Sequence, residues 1–595
     1  MTTLYPFSSS SIINLVNYRE SHRQQATANN FILNASLTWQ PFTALALKSV
    51  FGYINSNVRH NNYTTSEALN ESNSATFSTH FTDYLISENT ATWNHTFGTH
   101  KVSIMGGLTF QTDTQRGAGA SASGFISDTH GSYDLSAADT YGIPHSEYSK
   151  WVMLSYLART TYSYKNRYLA TATFRADGSS RYSKGDKWGF FPSFSLAWRV
   201  SGEAFMRSFS WIDDLKLRAS YGSTGSTAIS PYATLNLLET GKTPIGESGT
   251  STYYAVNNTL PYHLKWETTD QINIGIDAIL FGQHMNISLD WYHKLTRNLL
   301  NRVHLPSSTG YVSNVRNIGK IQNNGFEITV HENIFRSKDM SWTVSGNFSV
   351  NKNKVKKIYE GLDVYTTYIN QNDILGYAGI IREGEALGTF FTLKEDGYDE
   401  HGRIKYADRD ANGIINDNDK FVTGHANPDF TYGLMTNLKY KEMELDILLQ
   451  GVGGNNVFNE REIQNISYGY GFNMSRRVLE NHWDGTASAG HNANAKYPLI
   501  SNNVNAALSD RFIESGAYMR LKNISVSYNL PVRKLGMDWL QELKVYVSGQ
   551  NLLTFTGYSG VNPEVSYYSN DANAGVDAYS YPANKSVTFG MRVEF

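Results

Sequence analysis

Apolar and polar residues alternate along much of this chain, and a period of two marks strands with one oily and one wet face. Between 272 and 280, Ile272, Ile274, Ile276, Ala278 and Leu280 share one face, with Asn273, Gly275 and Asp277 on the other. Met285, Ile287, Leu289 and Trp291 oppose Asn286, Ser288, Asp290 and Tyr292. Phe31, Leu33, Ala35, Leu37 and Trp39 repeat the pattern early in the chain, and Trp342, Val344, Gly346, Phe348 and Val350 repeat it later. Val587, Phe589, Met591, Val593 and Phe595 close it. Helical spacing of three and four residues is rare, so the chain reads as all-β.

Seventeen strands are expected, near 29–39, 44–55, 88–98, 100–111, 150–164, 167–176, 188–200, 214–222, 270–280, 284–294, 324–333, 340–350, 431–439, 442–451, 517–528, 543–553 and 585–595. The links between them alternate in length. Short ones include 40–43, 165–166, 281–283 and 440–441; long ones are 56–87, 112–149, 177–187, 223–269, 295–323, 351–430, 452–516 and 554–584. Short turns at one end and long loops at the other describe an antiparallel transmembrane β-barrel, whereas a sandwich would not gather every long loop at one end. The spacing places Leu33, Ile274, Leu289 and Val593 toward lipid, and Asn34, Asn273 and Ser288 toward the lumen. Trp39, Trp291 and Trp342 fit aromatic girdles at the lipid boundary.

Composition narrows the function. With 51 basic and 53 acidic side chains and a net charge of -2, the chain has no basic field for a nucleic acid. It has no cysteine, which excludes disulfides and thiolate metal sites. No apolar run approaches the ~18 residues of a membrane helix. The first ten residues, MTTLYPFSSS, lack the basic and apolar regions of a signal peptide. Bacterial single-chain barrels have even strand counts, so seventeen strands suggest a C-terminal part of a larger barrel, expected to have 22 strands.

Several stretches carry a resemblance. FRADGSSRYSKGDKWGFFPSFSLAWRVSGEAFM (174–206), LKLRASYGSTG (215–225), WETTDQINIGIDAILF (266–281) and NIGKIQNNGFEITV (317–330) follow one another in order. YADRDANGIINDNDKFVTGHANPDFTYGL (406–434), GAYMRLKNISVSYNLP (516–531), VYVSGQNLLTFTGYSGVNPEV (545–565) and YPANKSVTFGMRVEF (581–595) complete the series. Together they resemble the SusC/RagA type of TonB-dependent outer-membrane transporters, collinearly from about 150 to the end. The resemblance implies a receptor-like barrel over 1–595 without a plug domain or TonB box. It implies import of oligosaccharides or peptides, energised through TonB in the intact protein, beneath a SusD-like surface lipoprotein. Long loops would face outward and the C-terminus the periplasm, with Phe595 resembling the family's assembly signal.

Catalytic signatures are absent: no H-E-x-x-H and no G-x-S-x-G elbow occurs, so no enzyme is expected. GVGGNN (451–456) reads as a strand-to-loop exit, and Asp177-Gly178-Ser179-Ser180-Arg181 as a turn. Loop aromatics Tyr365, Tyr368, Tyr377, Tyr468, Tyr470, Phe472, Tyr567 and Tyr568 suit either sugar contact or loop packing. The one metal-like pattern runs from Asp408 to Asp419. A Ca²⁺ loop takes oxygens at positions one, three, five, seven, nine and twelve, with glycine at six. Asp408, Asp410, Asn412, Ile414 (through its carbonyl), Asn416 and Asp419 fill those positions, and Gly413 falls at six. The competing readings are an acidic turn without an ion, and, for the whole chain, a surface Ca²⁺-binding adhesin or an outer-membrane enzyme. The adhesin would show repeats at fixed spacing, and none is visible.

Overall fold

The computed structural model describes residues 15–595 except 69–70, 246–248, 258, 261–262, 372–373, 467–473, 487–490, 493, 502–503, 538, 567 and 569. Seventeen long strands form one antiparallel meander, each pairing with its neighbours in order. They are β1 (His22–Phe42), β2 (Leu45–Thr64), β3 (Ser74–Phe97), β4 (His100–Phe125), β5 (His145–Tyr164) and β6 (Tyr168–Ser179). Then come β7 (Trp188–Arg199), β8 (Ile212–Ser226), β9 (Glu267–Leu280), β10 (Met285–His304), β11 (Ser313–Arg336) and β12 (Met340–Lys357). The last five are β13 (Phe430–Tyr440), β14 (Met443–Gly453), β15 (Tyr518–Leu530), β16 (Glu542–Thr556) and β17 (Ser586–Glu594). All seventeen expected strands are present. Among the described residues β1 pairs only with β2, and β17 only with β16, so the sheet presents two free edges.

Alternation is realised as two faces. On β9, Ile272, Ile274 and Ile276 are exposed, while Gly275 is buried and Asn273 and Asp277 are half-buried. Register carries the apolar face sideways: Ile274 lies between Ala219 of β8 and Trp291 of β10, and Trp291 opposite Phe326 of β11. Val587, Phe589, Met591 and Val593 continue the exposed apolar face on β17. Trp39, Trp291 and Trp342 are all exposed. On β1 both Leu33 and Asn34 are open, because that strand has a single neighbour.

Strand length departs from expectation. The links read as loops at 56–87, 112–149 and 295–323 are largely strand: β2 runs to Thr64, β3 starts at Ser74, β4 continues to Phe125, and β11 begins at Ser313. At ~3.3 Å per residue a 24-residue strand such as β3 is about 80 Å long, rising about 60 Å when tilted by ~40°. That is about twice the ~30 Å hydrocarbon layer. Beyond lipid the ladder continues while the regular apolar alternation stops, and the extensions are covered locally instead. Tyr63, Ala75, Ala122, Phe125 and Ala138 form one buried cluster, and Val315 packs on another made by Tyr182, Phe191, Ile229, Leu264 and Trp266. The expected turn at 177–181 is also displaced. Asp177, Gly178 and Ser179 belong to β6, where Gly178 pairs with Trp188, and Arg175 bonds Asp177 at 2.8 Å. GVGGNN does end a strand, at Gly453 of β14.

Three long links do not run as separate loops. Segments 358–429, 454–517 and 557–585 fold together into a cap at one end of the meander. Val364–Gln371, Ile374–Ile381, Thr389–Thr392 and Phe421–His425 make a four-stranded sheet. Asn456–Asn459 pairs antiparallel with Ile513–Ser515 and parallel with Val576–Asp577, which ties the second segment to the third, while Thr367 of the first donates to Asn573 of the third. Ile374, Phe390, Ile404, Phe458, Ile463, Phe512 and Val576 form its buried core. Burial of such side chains at ~1.5–3 kcal/mol each is what orders segments this long.

Candidate functional site

Two features of this architecture carry chemistry: the polar face of the barrel wall and the acidic segment of the cap. On the wall, pairing sets Gly275 of β9 opposite Arg218 of β8 and Asp290 of β10. Arg218 donates to both oxygens of Asp290 at 2.6 Å and to Asp277 at 3.1–3.3 Å, and Lys216 reaches Asp277 at 3.0 Å. Asn273 and Ser288, both expected on this face, join the same network. Gly275 makes it possible, because a Cβ there would sit 2.5 Å from Arg218 Cζ. Two cations and two carboxylates thus balance on one patch of wall, opposite the isoleucines of β9. A neutral, hydrogen-bonded wall is suited to passing a polar solute rather than trapping an ion.

In the cap, the segment 408–419 closes on itself through its own short polar side chains. The Asn412 and Gly413 N–H groups donate to Asp408, and the Ile414 N–H to Asn412 Oδ1. Gly413 takes φ +80°, the left-handed turn that glycine allows and position six requires. Asn416 caps the short 3-10 turn Asp417–Asp419. Asp419 is fully buried, and N–H groups from Asn416, Arg409 and Asp410 donate to it. Those donors, Asn416 first, hold its carboxyl below the ordinary range.

Of the six expected ligands, three converge: carboxylate oxygens of Asp408, Asp410 and Asp419 lie within 4.8 Å of one another. Asn412, Ile414 and Asn416 serve the turn instead. Asn412 Nδ2 donates to Asp410, Asn416 Nδ2 donates to the Ile414 carbonyl, and Asn416 Oδ1 accepts from Asn418. The neighbouring cations point elsewhere, Arg409 to the Lys420 carbonyl and Lys420 to Asp417 and the Tyr377 carbonyl. Three carboxylate oxygens at this separation could hold a hard divalent cation.

The cap also assigns the loop aromatics. Tyr377 packs with Tyr365 and Tyr368, ring centroids 6.1 and 5.1 Å apart, and all three stay exposed. Tyr568 lies against the cap core. Tyr468, Tyr470, Phe472 and Tyr567 lie outside the described residues. Sequence reading missed a buried ion pair in the cap: Arg511 donates from Nε and from one terminal nitrogen to Glu395, at 2.6 and 2.7 Å. The partners are 116 positions apart, so no local spacing signals them.

The family described as TonB dependent receptor-like, beta-barrel matches residues 3–552. TonB-dependent receptor P3 of Formosa agariphila is 32% identical over 596 residues, covering 96% of this chain and 58% of the relative. TonB-dependent receptor SusC of Bacteroides thetaiotaomicron is 29% identical over 465 residues, covering 74% of this chain and 44% of the relative. A solved structure of the RagAB peptide transporter superposes with a TM-score of 0.85 at 21% identity, covering 97% of this chain and 63% of that one. The chain therefore spans less than two thirds of the length of the relatives it matches.

Proposed function

The chain belongs to the TonB-dependent receptor-like β-barrel family of the outer membrane, and from that premise we propose that it forms barrel wall and cap of a nutrient importer. The cargo is an oligosaccharide or a peptide, moved by coupling to TonB in the whole protein. The observation that carries this reading is the two-faced meander, exposed isoleucines outside and the Arg218–Asp277–Asp290 network inside. In this reading the cap faces the cell exterior and the C-terminus the periplasm. A SusD-like lipoprotein closes over the cap, and the free edges of β1 and β17 are paired in a closed 22-stranded barrel, since lipid tolerates no open edge. Transport, not catalysis, is the activity.

Support for the cargo classes comes from the relatives: one is named SusC, and the RagAB structure is titled a peptide transporter. The test is deletion of the gene in its host, followed by uptake of labelled oligosaccharides and peptides with and without a protonophore. Energy-dependent uptake lost on deletion and restored by the gene supports the proposal. Undiminished uptake of every cargo overturns it.

Within the same proposal, Asp408, Asp410 and Asp419 hold a structural Ca²⁺, completed by Asn412, the Ile414 carbonyl and Asn416 after small rotations. Affinity on the order of 10⁻⁴–10⁻³ M is expected of an extracellular module. Calorimetry with millimolar Ca²⁺ should give heat with the wild type and none with Asp408→Ala. Equal heats would leave only a turn.

A further inference from the structure

The cap contains a cavity of about 540 Å³ that the barrel reading leaves unused. Trp483, Tyr398, Asn492, Lys496, Glu395 and Arg511 line it. Its polar wall is built rather than incidental. Arg511 spends its guanidinium on both Glu395 oxygens, the Tyr398 hydroxyl at 2.9 Å and the Lys496 carbonyl at 2.5 Å. Glu395 also accepts from the Ser509 hydroxyl. Side-chain exposure of 12% for Arg511 and 17% for Glu395 leaves the pair sunk in the wall, rigid and charge-neutral.

Trp483 is half-buried and held by its surroundings. Its backbone N–H donates to the Tyr497 carbonyl at 2.8 Å, and its ring packs on the backbone of Gly402, which has φ +73° and no Cβ to intervene. Asn492 Oδ1 is fixed by the Asp484 N–H at 2.8 Å. Lys496 stands exposed at the rim, with no ion pair among the described residues. The site thus combines a fixed indole, fixed planar polar groups and one uncompensated positive charge.

We propose that this cavity binds one ring of an acidic oligosaccharide, with the apolar face of the pyranose on Trp483 and its uronate or sulfate opposite Lys496. A sugar ring offers one apolar face and a girdle of hydroxyls, and the mixture of indole and amide matches that division. A peptide would need an extended groove or a free sheet edge with backbone donors, and this cavity offers a compact pocket. The proposal deepens the importer reading by naming the sugar class and a surface site where it is first held.

The test applies the whole protein, in detergent, to an array of neutral, uronic and sulfated oligosaccharides and acidic peptides. The wild type should bind acidic glycans, more weakly at high salt because the contact is ionic and exposed. Trp483→Ala and Lys496→Gln should each lower affinity roughly tenfold, whereas Trp483→Tyr, which keeps an aromatic platform, should retain most of it. Binding that survives both losses overturns the site, as does binding of neutral glycans or peptides alone. Binding of no glycan at all also overturns it. Because the array reads binding and not uptake, glycan binding without energy-dependent uptake would reject the importer and leave this site standing.

Discussion

Placing a charge at Ile274 tests the two-faced wall at one atom's depth. Ile274 is 52% exposed on the apolar face of β9, six residues above the short-turn end at Leu280. Six residues rise about 15 Å along a strand tilted by ~40°, which sets the side chain near the middle of a ~30 Å hydrocarbon layer. Arginine on the lipid face at the midplane costs ~2–4 kcal/mol. Losing the lipid-facing half of an isoleucine adds about 1 kcal/mol. Together, about 3–5 kcal/mol corresponds to more than a hundredfold in the folding equilibrium. The control is Thr329 of β11, which pairs with Ser288 and Asn347 on the polar face, seven residues from the end of its strand. Thr329→Lys enters water at the same depth and should cost under ~1 kcal/mol. Urea-dependent folding of the whole protein into phospholipid vesicles, read by heat-resistant gel mobility, measures both. Equal costs, or a larger cost at Thr329, would refute the assignment of faces.

Gly275→Ala should cost ~1–3 kcal/mol in the same assay by displacing Arg218, whereas Gly346→Ala, whose Cβ meets nothing nearer than 3.8 Å, should be silent. In the cap, Arg511→Met strands the Glu395 carboxylate, which burial already pushes upward, and should destabilise the cap by ~3–5 kcal/mol. Unchanged hydrogen exchange over 454–517 would contradict it. Asp419 has a depressed folded pKa, so its contribution is complete above the ordinary carboxylate value of ~3.9 and fades as pH falls through the lower folded value. Exchange protection of 408–419 should therefore hold from pH 7 to 5 and drop only below about 4, with Asp419→Asn lacking that acid transition. A transition near neutrality would rule out this origin.

Local spacing alone determined the wall of this protein and the acidic loop. Ile272, Ile274 and Ile276 against Asn273, Gly275 and Asp277 require a strand with one apolar and one polar face, and the alternation of short and long links is what turns the apolar face to lipid. The twelve residues from Asp408 to Asp419 close through bonds that span ten positions or fewer, so their turn was legible in order of residues. Strand ends were not legible, because the polar 313–323 half of β11 carries no alternation to read and is covered by residues distant in sequence: Ser313, Asn314 and Gly319 are buried, and Val315 packs on the cluster around Leu264 and Trp266. The cap was invisible for a different reason. Thr367 meets Asn573 across 206 positions, Phe458 pairs with Val576, and Glu395 with Arg511. Partners so far apart are brought together by the strands beneath them, which deliver three long links to the same end of the sheet. Only the tertiary structure decides which apolar residues of those links share a core, and which polar ones are left to line the cavity beside Trp483.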